Sequence, residues 1–195
     1  MRNILITIQP QNCKQIIDLD KTIEVRKSKP KLDIPFKCFI YCTKEKQQYL
    51  QSRDNMFFYL ENKDFIGGHG TGLYTRLNGK VIGEFICDCI DEIDIVDNEI
   101  MTYVQVNNKP DMFITYETCL DVDELQKYLN NKISYGWHIS DLIIYDKPKE
   151  LSEFSKYDNT YDSAFGWAFN DKLKSVKITR PPCSWCYVEE IDTLG

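Results

Sequence analysis

The hydrophobic pattern near the start of the chain predicts a strand, a short helix and a second strand. Apolar and β-branched residues run from Ile4 to Ile8, and Pro10 then begins a segment with Cys13, Ile16 and Ile17 on one helical stripe. Because the fixed φ of proline suits a first helical position, we expect a short amphipathic helix here. Residues 22–26 are β-branched at three of five positions, which is typical of a strand.

The rest of the pattern predicts further strands separated by polar connections. They are expected at Lys37–Cys42, Val81–Ile90, Trp137–Tyr145, Ser175–Thr179 and Trp185–Ile191. Two insertions interrupt them, at about 43–78 and 152–172. The first contains a polar stretch, Thr43–Tyr49, that is predicted as a helix. It also contains a glycine run, Gly67–Gly72, that is predicted as a mobile loop able to close over a ligand, which makes His69 a minor candidate for ligand contact. Residues Lys147 to Lys149 are predicted to turn the chain out into the second.

The strongest helix signal follows Asp121. Asp121 and Glu124 have the spacing of a capping box, in which each side chain accepts a hydrogen bond from the other residue's backbone N–H. Leu125, Tyr128 and Leu129 then form an apolar stripe, and Asn130 is expected to end the helix. We expect this helix to pack rather than to take part in chemistry.

Composition and charge narrow the possible classes of protein. The 195 residues are 43% hydrophobic and 13% aromatic, which suffices for one domain over residues 1–195 and disfavours disorder. No apolar run reaches about 18 residues, so no membrane span is predicted and a cytoplasmic location is expected. A net charge of -6 disfavours binding to a long RNA tract. Basic clusters at Arg26–Lys31 and Lys172–Arg180 provide either a local positive rim or exposed lysines that favour solubility.

The eight cysteines are expected to be free thiols, most of them packed as small apolar side chains. Only Cys183 and Cys186 have a spacing that suggests a metal. If Ser184 to Val188 is a strand, residues three apart point to opposite faces, so the two thiols cannot share one ion. The sequence therefore predicts no metal site and no cofactor.

Three charged residues beside the second strand offer a candidate site. Strand periodicity places Glu24 and Arg26 on one face, opposite two aliphatic residues, with Lys21 at the mouth of the strand. Two cations suit a phosphate or a carbonyl group, and the acid can accept a hydrogen bond from a base amino group. The alternative is a solvated strand with a weak surface ion pair.

The order of these elements resembles a known family. A strand, a short helix and a motif G-x-K-x-x-E-x-R, with Asp20 at the position of the glycine, resemble the ASCH domain of the PUA-like superfamily in its phage and bacterial form. The segments 79–85, 135–140 and 182–188 look like its later strands. This resemblance implies an α+β fold, a PUA-like mixed β-barrel with short flanking helices and inserted loops.

The resemblance also implies a function and a set of candidate residues. It implies a module that binds RNA or a modified nucleotide in a cleft lined by the motif. The candidate ligand-binding residues are Lys21, Thr22, Glu24, Arg26, Trp137, His138, Ser184 and Trp185. Only one of Trp137 and His138 can line a cleft, since neighbours on a strand face opposite ways, and Ser184 and Trp185 are related in the same manner. Each tryptophan is more typical of a core than of a stacking platform.

Two other functions are left open. One is hydrolysis of a modified nucleoside or an RNA phosphodiester, with Lys21 and Glu24 as catalytic acid and base. In the acetylcytidine amidohydrolase of the family the position of Glu24 holds a threonine nucleophile, so this chain is expected to release little or no acetate from that substrate. The other is a phage or host protein-interaction module that works through the insertions.

Overall fold

The five strands of the largest sheet are β1 (Arg2–Ile8), β3 (Phe36–Cys42), β7 (Lys80–Cys87), β11 (Ser140–Glu150) and β14 (Trp185–Glu189). The computed structural model describes residues 2–61, 74–96, 99–103, 114–130, 132–157 and 175–189. The hydrogen-bonded order is β11-β7-β3-β1-β14, with β1 and β3 parallel and all other neighbours antiparallel.

The described residues also form three smaller sheets. The four-stranded sheet contains β2 (Ile23–Arg26), β8 (Ile90–Val96), β9 (Glu99–Tyr103) and β10 (Ser134–His138), in the order β2-β10-β8-β9. A three-stranded sheet contains β4 (Gln48–Arg53), β5 (Met56–Glu61) and β6 (Thr75–Arg76), and a two-stranded sheet contains β12 (Ser155–Tyr157) and β13 (Ser175–Lys177). Within the described residues these sheets do not close into a barrel. The predicted barrel is therefore confirmed only as a mostly β fold with short helices.

The central strands β1 and β3 are buried on both faces, which explains their nearly continuous apolar sequences. Ile4, Ile6 and Ile8 enter one core cluster, which also contains Trp137, while Leu5 enters a second cluster on the other face of the sheet. The cysteines of β3 and β7, which are Cys38, Cys42 and Cys87, are buried as free thiols, as the sequence indicated. The β sheet thus provides the rigid support for the surrounding loops and helices.

Three short α-helices of the described ranges lie outside the sheets: α1 (Pro10–Ile17), α2 (Ile114–Thr118) and α3 (Val122–Leu129). The predicted capping box is confirmed, since the Asp121 carboxylate accepts from the Glu124 N–H at 2.8 Å and the Glu124 carboxylate accepts from the Asp121 N–H at 3.1 Å. Asn130 ends α3 in the left-handed region, with φ 49°. Leu125 and Leu129 pack against Ile23 of β2, so α3 covers the outer face of the four-stranded sheet.

The predicted helix over Thr43–Tyr49 is wrong. Gln48 to Arg53 form β4, which pairs with β5 through a two-residue turn at Asp54 and Asn55. Both turn residues have positive φ, 51° and 60°, as hairpin turns with the right twist require, and Asp and Asn tolerate that region better than most residues. The hairpin turn overrides the polar, helix-like composition that precedes it.

Two predictions about the later strands are also corrected. The predicted strand Trp137–Tyr145 is interrupted at Ile139, so that β10 and β11 belong to different sheets. The predicted turn at Lys147 to Lys149 lies within β11, which continues to Glu150. Pro148 is tolerated because β11 is at the end of its sheet and the pairing is irregular between Ile144 and Lys149.

Some of the predictions made from the sequence concern residues outside the described ranges. The glycine run Gly67–Gly72, His69 and residues 158–172 of the second insertion lie outside the described residues. The domain boundaries remain predictions. Among the described residues, no helix combines the length and the apolar character needed to cross a bilayer.

A polar network within the large sheet gives a prediction about pH. Glu84 is 8% exposed and accepts hydrogen bonds from the Lys37 ammonium at 2.6 Å and from the Tyr145 hydroxyl at 2.5 Å. Burial acts to raise the pKa of Glu84, but these two partners outweigh it and lower the pKa. A carboxyl group with a lowered pKa in the folded state stabilises the fold above its unfolded pKa of about 4.3, and this contribution is lost as pH falls through the folded value.

We therefore expect Glu84→Gln to lower the free energy of unfolding by about 1 to 2 kcal/mol near neutral pH. The difference from the natural sequence should shrink as the pH falls below the unfolded pKa of about 4.3, and it should disappear once the pH has passed the lowered folded pKa, where the native carboxyl group is protonated too. Urea unfolding followed by circular dichroism at several pH values measures this. Glu61→Gln, on the exposed end of β5, is the control and should change little. A Glu84→Gln penalty that is constant with pH would contradict the assignment.

Candidate functional site

The strand β2 supports the charged trio in the way that its alternation predicted. Ile23 and Val25 pack against α2 and α3, while Glu24 and Arg26 point to the opposite face and line a pocket. Lys21 lies just before the strand, where its backbone N–H donates to the Gln15 carbonyl at the end of α1. The trio is therefore held between the end of one helix and an edge strand.

All three charged residues are buried rather than solvated. Lys21, Glu24 and Arg26 are 2%, 5% and 8% exposed. The Arg26 Nη2 atom lies 2.9 Å from Glu24 Oε1, and the Lys21 Nζ atom lies 3.5 Å from Glu24 Oε2. Each cation also donates to a backbone carbonyl at 2.5 Å, Lys21 to Thr118 and Arg26 to Thr7. The alternative of an exposed surface pair is therefore wrong for this trio.

The trio still has hydrogen-bonding capacity. Glu24 Oε2 and Arg26 Nε are buried and have no hydrogen-bond partner among the described residues. The Lys21 contact to Glu24 Oε2 is an ion pair without a hydrogen bond. Because buried polar atoms are nearly always hydrogen-bonded in native proteins, this unsatisfied donor and acceptor leave capacity for a further hydrogen-bonding partner.

The pocket around the trio has a volume of about 260 Å³. Its polar wall comes from Thr7 at the end of β1 and from Gln9 and Asn12 at the start of α1, and Tyr128 of α3 adds an aromatic wall. Within the part of the chain that the structure describes, the charged lining residues are the trio alone, which gives the pocket a net charge of +1. This positive charge contrasts with the net charge of -6 for the whole chain.

A positive rim extends the pocket along the predicted basic cluster. The Lys27 ammonium lies 5.1 Å from the centre of the Tyr128 ring, and the Lys29 ammonium lies 5.0 Å from that of Tyr135, distances at which a cation is attracted to a ring face. The Tyr128 hydroxyl donates to the Val25 carbonyl at 3.3 Å, and burial raises the pKa of Tyr128. The rim and the pocket therefore share Tyr128.

The turn before Lys21 requires a correction to the motif. The spacing G-x-K places Leu19, not Asp20, at the position of the glycine. Leu19 has φ 65° and is 68% exposed. Positive φ is the conformation that glycine adopts without strain, so the turn keeps the backbone of the motif with a leucine in place. The departure lies in the turn, two residues before Lys21.

Five other predicted site residues lie outside the pocket lining. Thr22 is exposed, and its backbone N–H donates to the Glu117 carbonyl at 2.9 Å. His138 contacts Asp91, with 2.6 Å between His138 Nε2 and Asp91 Oδ2, and this hydrogen bond raises the pKa of His138 against the effect of burial. The carbonyl of Ser184 accepts from the Thr7 hydroxyl at 2.7 Å, so Ser184 supports the pocket only through its backbone.

Both candidate tryptophans belong to an aromatic cluster. Trp137 is 0% exposed, and its ring centre lies 5.7 Å from that of Phe36 and 5.8 Å from that of Trp185. Trp137 pairs with Glu24 across the β2–β10 ladder and so shares its face of the sheet, but it does not line the pocket. Trp185 is half-buried and donates from Nε1 to the Ser28 hydroxyl at 3.1 Å. The core interpretation of Trp137 is thus confirmed.

The chain is similar to solved ASCH structures. No protein-family model and no curated protein matches it. Crystal structures of ASCH from Zymomonas mobilis are similar to this chain, with a TM-score of 0.45, 16% identity and coverage of 76% of this chain and 73% of that one. A tyrosine-to-phenylalanine variant of the same protein has a TM-score of 0.46, 15% identity and 76% coverage of both chains. The chemistry of the pocket follows from this chain's own side chains.

Proposed function

We propose that the pocket binds one phosphorylated nucleotide unit, at an RNA end or in a flipped-out position, with the phosphate on Lys21 and Arg26. The observation that carries this proposal is the buried trio, whose net charge of +1 remains after Glu24 is counted. A buried uncompensated charge is costly, and an anion offsets that cost when it binds.

The remaining donors suit a phosphate. A lysine ammonium has three N–H donors, and among the described residues those of Lys21 face two partners, Thr118 and Glu24. Arg26 uses Nη2 for its contacts with Glu24 and Thr7 and leaves Nε without a partner among the described residues. A phosphate accepts charge-assisted hydrogen bonds from both side chains at once.

Glu24 and the aromatic wall of the pocket suit a nucleobase. Glu24 Oε2 is an open acceptor that fits an exocyclic amino group, and the ring of Tyr128 forms an adjacent wall. A volume of about 260 Å³ lies near the lower end of the range for small-molecule sites, so the pocket admits a single compact unit and not a folded strand. Lys27 and Lys29 on the rim then contact neighbouring phosphates.

The test is a titration of a short, 5′-phosphorylated, single-stranded RNA followed by fluorescence anisotropy at several salt concentrations. We expect weak binding with a slope corresponding to about two to four phosphate contacts at roughly 0.7 each. Arg26→Gln should weaken binding about 10- to 100-fold, since it removes a charged hydrogen-bond donor. Arg26→Lys, which keeps the charge and loses the planar fork, should retain part of the affinity.

The matched control is Lys147→Gln, which removes one positive charge from an exposed position on β11. It should leave the affinity within about twofold, as expected for a distant screened charge. Equal effects of Arg26→Gln and Lys147→Gln, with both variants folded, would contradict the proposal. A steep salt slope would instead indicate an extended RNA-binding surface.

Hydrolysis and protein interaction are the two alternative functions. Incubation of the same RNA and of N4-acetylcytidine with the protein distinguishes the first, because turnover that depends on Lys21 is not expected of a binding module. Failure to bind any nucleotide would favour the protein-interaction function.

A further inference from the structure

Three metal-ligating side chains meet at one end of the four-stranded sheet, separate from the charged trio. Cys89 lies in the short connection between β7 and β8, Asp91 is the second residue of β8, and His138 is the last residue of β10. Antiparallel pairing of β8 with β10 brings these segments together. The backbone N–H of His138 donates to the backbone carbonyl of Cys89 at 3.1 Å. Strand pairing therefore fixes the positions of Asp91 and His138, and the backbone hydrogen bond to His138 holds Cys89 beside them.

The side-chain atoms converge around Asp91. His138 Nε2 lies 2.6 Å from Asp91 Oδ2, and Cys89 Sγ lies 3.5 Å from Asp91 Oδ1. One ligand atom from each residue lies within 4.8 Å of the other two. Asp91 is 3% exposed, whereas the His138 side chain is 33% exposed and Cys89 is half-buried. The carboxylate thus forms the floor of a cluster that solvent reaches from the side of the thiol and imidazole.

This arrangement differs from that of a cysteine nucleophile with its base. In such a site the imidazole lies between the thiol and the acid, so that it can take the thiol proton. Here the acid lies between the thiol and the imidazole, and Asp91 uses one oxygen for each. The cluster is therefore poorly arranged for thiol activation by His138.

We infer that Cys89, Asp91 and His138 form a site for a divalent cation of the Zn²⁺ type, with water in the fourth position. Sulfur, imidazole nitrogen and carboxylate oxygen are the ligand set that zinc takes at about 2.0 to 2.3 Å. One thiolate and one carboxylate neutralise the two charges of the ion, and the neutral imidazole adds a third ligand.

The adjustment that an ion requires falls on His138 rather than on Cys89. Ligand atoms of a tetrahedral zinc ion lie about 3.3 to 3.7 Å apart, which follows from those bond lengths. The separation between Cys89 Sγ and Asp91 Oδ1 already fits, and the shorter contact between His138 and Asp91 lengthens when an ion replaces the shared proton. Asp88 and Glu117 act on His138 as further negative charges, and such surroundings attract a cation.

The first experiment is a Co²⁺ titration of the purified, chelator-treated full chain under reducing conditions. We expect one equivalent to bind, with visible bands of a tetrahedral ion and a near-ultraviolet band from thiolate-to-cobalt charge transfer. Zn²⁺ should displace the cobalt and remove both signals, since zinc binds the same ligands without absorption in this range. Elemental analysis after gel filtration gives the zinc stoichiometry.

The variants assign the site. Cys89→Ser should abolish the charge-transfer band and weaken Zn²⁺ binding by at least about 100-fold, because losing a ligand costs more than losing an outer-shell partner. His138→Gln should weaken Zn²⁺ binding similarly without disturbing the buried floor of the cluster. Cys183→Ser is the matched control at an exposed cysteine and should leave both signals unchanged.

Three outcomes would overturn the inference: no stoichiometric binding by the natural sequence, binding that Cys89→Ser leaves intact, or binding that Cys183→Ser abolishes. Circular dichroism of each variant confirms that it is folded. Nucleotide affinity is measured separately with and without Zn²⁺, so failure of the metal site and failure of the proposed nucleotide site are distinguishable.

Discussion

Glu24→Gln is expected to destabilise the fold and to strengthen phosphate binding at the same time. The substitution keeps the shape of the side chain and removes the only negative charge that pairs with both buried cations, Lys21 and Arg26, among the described residues. Breaking a buried ion pair leaves uncompensated charge, so the free energy of unfolding should fall by about 3 kcal/mol. The charge of the pocket rises from +1 to +2, and inorganic phosphate should bind about tenfold more tightly, a modest share of the added Coulomb attraction.

Urea unfolding measures the first effect, and isothermal titration with inorganic phosphate measures the second. Glu92→Gln is the matched control for the stability measurement, since Glu92 pairs with Lys29 at 3.1 Å on the surface of the same sheet, where both side chains are over one third exposed. This substitution should lower the free energy of unfolding by less than about 1 kcal/mol. If Glu24→Gln lowers stability but leaves phosphate binding unchanged, the trio is a structural ion network and the pocket is not an anion site.

The trio was predictable from sequence because strand alternation is a local property. A period of two separates Ile23 and Val25 from Glu24 and Arg26 whatever surrounds the strand. Burial of the charges was not predictable, since it depends on Thr118 and Thr7, which supply carbonyl acceptors from α2 and β1. The predicted barrel closure was wrong for the described residues for the same reason, because closure depends on pairing between strands that are distant in sequence.

The walls of the pocket were missed for a related reason. Thr7, Asn12 and Tyr128 come from three elements that meet only in the folded protein. Tyr128 was assigned to the packing stripe of α3, yet its hydroxyl contacts β2 and its ring lies beside Lys27. A polar group on an otherwise apolar stripe is the sequence feature that could have indicated this role.

The three residues of the inferred metal site include two that are close in sequence and one that is distant. Cys89 and Asp91 are two residues apart, but His138 is 47 residues beyond Asp91, and only the pairing of β8 with β10 joins them. Close spacing in the sequence points to Cys183 and Cys186 instead. Cys183 precedes β14 and is exposed, whereas Cys186 lies within that strand.

Trp137→Ala is expected to cause the largest loss of stability among single substitutions in the core. The indole is fully buried, and it contacts Phe36 edge-on and Trp185 at a tilt. Truncation removes these contacts and leaves a cavity between the two larger sheets, which for a buried tryptophan costs about 3 to 5 kcal/mol. Domains of this size are stable by only about 5 to 15 kcal/mol, so the variant should unfold at a much lower urea concentration.

Trp185→Ala provides the comparison, because Trp185 is half-buried and its Nε1 bonds a hydroxyl at the surface. Its cost should be less than half that of Trp137→Ala, in proportion to the smaller buried area. Trp137→Phe keeps most of the ring volume and removes an indole N–H that has no partner among the described residues, so it should remain folded. Nucleotide affinity of Trp137→Phe should stay within about twofold of the natural sequence, since the ring does not line the pocket. A folded Trp137→Phe variant that loses nucleotide binding would show that the indole stacks on the ligand and that its assignment to the core is incomplete.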